Sequence, residues 1–96
     1  MPLNAEFRQM IEDNIQTVLL TVPTLKKEYP KFKQDWKFEH EFDFLYGSVI
    51  GQILGGSLTA FKMIYLREAT SEEILEIGEI VESYFDKIRD SISKAN

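Results

Sequence analysis

The stretch Phe44–Phe61, FLYGSVIGQILGGSLTAF, holds no charged residue, and Gly47, Gly51 and Gly55 recur in it at steps of four. On a helix that spacing sets the three glycines in a nearly straight line, with Ser48 beside it. Each glycine inside a helix costs about 0.5–1 kcal/mol relative to alanine. With Gly56 included, the segment gives up roughly 2–4 kcal/mol, against a typical stability of about 5–15 kcal/mol. Close approach of another helix backbone along the bare strip would offset that loss.

The rest of the segment is apolar nearly all round. Phe42, Leu45, Val49, Ile53, Ala60 and Met63 line one side of the predicted helix. Phe44, Gly47, Gly51, Leu58 and Tyr65 line another, with Ile50, Leu54, Phe61 and Ile64 between. Such a helix must be covered nearly all round. Crossing a bilayer takes about 20 predominantly apolar residues. This run is at the short limit, is diluted by Ser48, Gln52, Ser57 and Thr59, and is closed by Asp43 and Lys62. It reads as the central helix of a soluble bundle rather than a membrane span.

Two flanking helices are predicted. In the first, from about Asn4 to Thr21, Phe7, Ile11, Ile15, Val18 and Val22 form one apolar stripe. Asn4 suits the N-cap and Glu6 the positive end of the helix dipole. Pro23 should end or kink this helix and push Val22 toward extended geometry. Thr24 would then cap a short turn from Leu25 to Tyr29.

After a turn at Leu66–Ser71, Thr70 and Glu73 stand in the T-x-x-E relation of a capping box. The helix it opens is expected to run to about Lys94. Its seam would be Ile74, Gly78, Val81, Phe85, Ile88 and Ile92. Its outer stripe would be Glu72, Glu76, Glu79, Ser83, Asp86 and Asp90. A connection this short makes an antiparallel hairpin with the central helix.

Residues 31–43 are ambiguous. Charged residues occupy every odd position and mostly aromatic residues the even ones, which is a strand pattern. No partner strand exists elsewhere in the sequence, so a helix starting near Trp36–Phe38 and running to Arg67 is preferred. Residues 1–96 thus read as one all-α domain, a bundle of three main helices.

Each flanking helix covers about a third of the central one, given diameters of about 10–12 Å with side chains. The uncovered strip predicts a homodimer, with Gly47, Gly51, Gly55 and Leu58 at the contact. Gly78 is the alternative flat spot, inside the hairpin. The sequence leaves open which of the two the strip faces.

Motifs for chemistry are few. The chain has no cysteine, which removes disulfides and thiolate sites and fits a cytoplasmic protein. His40 stands among Glu39, Glu41 and Asp43, but lacks the Glu-x-x-His pairs of bundle metal sites. No cofactor, metal or catalytic role is expected. The net charge of −5 disfavours a phosphate-binding surface. Only Lys27, Lys31, Lys33 and Lys37, interleaved with Trp36 and neighbouring rings, could track single-stranded nucleic acid.

The expected role is therefore a small acidic homo-oligomeric module for protein interaction or assembly, another protein being a possible partner. A nucleic-acid accessory factor using Lys26–Lys37 is the alternative. A metal- or small-ligand-binding helical protein is third.

Overall fold

The computed structural model describes residues 3–28, 30–31 and 39–94. Among these the chain is all helical: α1 (Ala5–Leu20), α2 (Val22–Glu28), α3 (Glu41–Tyr65), α4 (Ser71–Glu82) and α5 (Phe85–Lys94). Helix α3 is the axis of the bundle, with α1, α2, α4 and α5 all packed on it.

Helix α1 forms as its sequence dictates. Asn4 takes extended geometry and its side chain accepts from the Phe7 amide at 2.8 Å. Phe7, Ile11, Ile15, Val18 and Val22 are all buried, down to 0% exposure at Ile15. Burying each such side chain contributes about 1.5–3 kcal/mol.

The helix stops at Leu20, with Thr21 donating its hydroxyl to the Val18 carbonyl at 2.6 Å. Pro23 does not displace Val22 into an extended conformation, as the sequence suggested. Val22 begins α2, and neither Thr24 as cap nor a turn starting at Leu25 is realised. Pro23 falls in the first turn, where its missing N–H has no partner to lose. Burial of Val22 outweighs the pre-proline preference, and the Leu25 amide closes the turn on Thr21 at 2.9 Å.

Helix α3 starts at Glu41 rather than near Trp36–Phe38, after extended geometry at His40. Residues 32–38, and with them the choice between helix and strand there, lie outside the described residues. Glu41 and Asp43 in the first turn and Lys62 in the last match the helix dipole. Leu45, Val49, Ile53, Ser57 and Phe61 form its buried stripe. At the C-terminus Leu66 adopts left-handed geometry, φ 57° and ψ 35°, and its amide reaches the Lys62 carbonyl at 2.9 Å.

The capping box at Thr70 and Glu73 is present as predicted. The helix beyond it is not continuous. Ser83 turns its hydroxyl back to the Ile80 carbonyl at 2.6 Å, and the Tyr84 amide takes Val81 three residues back. That tightened turn separates α4 from α5.

The seam of α4 is also rotated from expectation. Glu73, Ile77, Ile80 and Val81 are buried, whereas Ile74 is 47% exposed and Gly78 only half-buried. The phase is set at Glu73, whose carboxylate is drawn inward by Arg67 and the Thr70 amide. In α5 the expected Ile88 and Ile92 are buried.

Candidate functional site

The bundle covers α3 on one side only. The stripe Leu45–Val49–Ile53–Ser57–Phe61 is sealed, while Gly47, Gly51, Gln52, Gly55 and Thr59 on the far side are exposed. Leu58 is 37% exposed and Met63 72%. Only 28% of the most apolar 18-residue window of α3 is buried. By length and composition alone, this helix could cross a membrane.

Among the described residues, nothing lies within 4 Å of where a Cβ would sit on Gly47, Gly51 or Gly55. The strip therefore packs against no described part of its own chain. Gly78 is equally open, so it does not act as the flat spot inside the hairpin. Gly56 is different. A Cβ there would meet the Asn14 amide nitrogen at 3.2 Å, so this glycine admits α1 to α3.

Leu58 is exposed on the same side of α3 as the three glycines. The polar residues of α3 divide. Ser57 is buried and donates to the Ile53 carbonyl at 2.7 Å, closing its own hydrogen bond within the helix. Gln52 and Thr59 remain exposed. Lys62 pairs with Glu68 at 2.8 Å, an exposed contact that raises the lysine's pKa through the hydrogen bond and charge of Glu68.

The basic segment is less available than its sequence suggested. Lys31 pairs with Glu28 at 2.6 Å, and the hydrogen bond and charge of Lys31 hold the Glu28 carboxyl below its usual range. Lys26 donates to the Ile92 carbonyl at 2.8 Å and ties α2 to the end of α5. Lys27 is exposed. Lys33, Trp36 and Lys37, and with them most of the nucleic-acid contact read from the sequence, lie outside the described residues.

His40 occupies the N-cap position of α3 without a side-chain capping bond. Among the described residues no group of three His, Asp or Glu side chains could hold a metal ion. A shallow cleft of about 110 Å³ lies between α1 and α3, beside Met10, Asn14, Gly56 and Ala60. It is smaller than the roughly 300–1,000 Å³ of ordinary ligand sites.

Arg67 is the residue whose part the sequence least disclosed. It grips Glu73 with two hydrogen bonds and lies over the Phe61 ring, 4.9 Å from its centroid. Phe61 meets Phe7 edge-on at 5.5 Å and Tyr65 at 4.5 Å, and Asn4 donates to the Tyr65 hydroxyl at 2.8 Å. This cluster clamps the end of α3 to the start of α1 and the cap of α4. It fixes the orientation in which α3 presents its open face.

Compared with protein-family models, curated proteins and solved structures, the chain matches none of them.

Proposed function

We propose that this chain is a small acidic helical module that associates with a second copy of itself through the open face of α3, as an assembly or interaction unit without catalysis of its own. One observation carries the reading: the uncharged face of α3 that bears Gly47, Gly51, Gly55 and Leu58 is left exposed by the other described helices. Leu58, Met63 and Ile64 of the same helix are exposed as well, and small monomers rarely leave apolar surface bare without a use for it. Among the described residues nothing occupies the space above Gly47, Gly51 and Gly55, which allows a backbone to come close. Burial at such a contact offsets the helical cost of the glycines.

Insertion of α3 in a bilayer is disfavoured by its neighbour. Helix α1 packs along α3 and carries Glu6, Arg8, Glu12 and Asp13. Placing α3 at membrane depth would carry those charges toward the hydrocarbon, which is costly.

Light scattering across a protein concentration series tests the proposal. A mass rising to twice that of the 11.2 kDa chain is expected. A mass that stays at one chain up to hundreds of micromolar would remove the reading.

A further inference from the structure

Opposite charges stand at the two ends of the open face. Asp43 lies in the first turn of α3 and Lys62 in the last, both exposed, and the sequence between them holds no other charge. At about 100° per residue, Asp43, Gly47, Gly51, Gly55, Leu58 and Lys62 share a sector of roughly 120°. The face is thus apolar in its middle, negative at one end and positive at the other.

We infer that α3 pairs antiparallel with α3 of a second copy, Asp43 of each chain lying level with Lys62 of the other. This rests on the self-association proposed above and names its geometry. Setting those two residues level fixes every other position. Four residues in from each end, Leu58 comes level with Gly47 of the second copy and enters the space left above that glycine. Four further in, Gly51 comes level with Leu54. The two-fold axis then crosses at the level between Gln52 and Ile53, midway between Gly51 and Leu54.

Parallel pairing lacks these matches. It sets Asp43 against Asp43, Lys62 against Lys62 and Leu58 against Leu58, and it aligns the two helix dipoles unfavourably. Lys62 already touches Glu68, but an exposed pair of that kind holds it weakly. The charges at the rim act mainly on orientation and register, and the apolar centre supplies affinity.

The chain has no cysteine, so engineered ones report proximity cleanly. One preparation carries Asp43→Cys and another Lys62→Cys; the two are mixed and oxidised. A mixed disulfide should dominate over either self-linked product.

In parallel, sedimentation equilibrium on Asp43→Lys and on Lys62→Asp should show dimer affinity weakened about 2–30-fold, from two pairs lost per dimer. The double charge swap should return it to near the starting value. A dimer that links Asp43→Cys mainly to itself, gives no mixed product, or gains nothing from the double swap would overturn the antiparallel register while leaving self-association standing. A wild-type chain that sediments as a monomer throughout would remove both.

Discussion

Arg67 and Glu73 meet in a two-pronged contact, Nη1 to Oε1 at 2.8 Å and Nη2 to Oε2 at 2.9 Å, and Glu73 Oε1 also accepts from the Thr70 amide at 2.8 Å. The same carboxylate therefore serves as the ion-pair partner of the turn and as half of the capping box that opens α4. Its side chain is 6% exposed. The hydrogen bonds from Arg67 and then from Thr70 hold its pKa down, from 4.5 to about 2.

That depressed pKa predicts a pH dependence of stability. In the fold Glu73 stays ionised while the unfolded chain's carboxylate takes up a proton, so falling pH favours the unfolded state. The contribution of Glu73 is complete above about pH 4.5 and is lost as pH falls toward about 2. Glu73→Gln should be less stable at neutral pH and should lose less stability across that window. Urea midpoints at pH 7, 4 and 2.5 would show it. Parallel pH profiles for variant and wild type would assign the acid sensitivity to other carboxylates.

Leu66 holds a left-handed conformation with its side chain 86% exposed. An L-residue loses about 1–2 kcal/mol there, and glycine avoids most of that loss. Leu66→Gly should therefore raise stability by about 0.5–1 kcal/mol, a melting temperature higher by a few degrees. A lower melting temperature would mean that the leucine side chain makes a stabilising contact.

Phe61, 1% exposed, joins Phe7, Tyr65 and Arg67. Truncating a buried ring to alanine costs about 3–5 kcal/mol. In a chain this short that is most of the stability, so Phe61→Ala should be largely unfolded at 37 °C by circular dichroism. Asn4→Ala, which removes the α1 cap and the bond to Tyr65, should cost only about 0.5–2 kcal/mol.

Much of this fold can be read from residue spacing. The stripe from Phe7 to Val22 and the capping box at Thr70 and Glu73 emerge because local pattern and tertiary packing agree there. The sequence falls short where the two conflict. A break does fall just before Pro23, between α1 and α2, yet Val22 is helical and buried where the sequence suggested extended geometry. Glu73 reads from the sequence only as half of a capping box, yet Arg67 holds it inward and the buried seam of α4 runs through it rather than through Ile74. The turn at Ser83 depends on a hydroxyl bonding back to the Ile80 carbonyl, which no periodicity reports.

The glycine strip was visible at once, since Gly47, Gly51 and Gly55 need only a helix to align. That they face away from the bundle, whereas Gly56 faces Asn14, depends on which side α1 occupies.

Self-association through α3 is tested most directly by Gly51→Leu, followed by sedimentation equilibrium and circular dichroism together. Nothing described lies within 4 Å of a Cβ at Gly51, so leucine meets none of the described residues and should raise stability by about 0.5–1 kcal/mol through helix propensity. The same side chain obstructs a close second helix. The expected result is a wild-type dimer and a Gly51→Leu chain that is monomeric and at least as helical. A Gly51→Leu chain that dimerises as tightly as wild type would contradict close packing on this face.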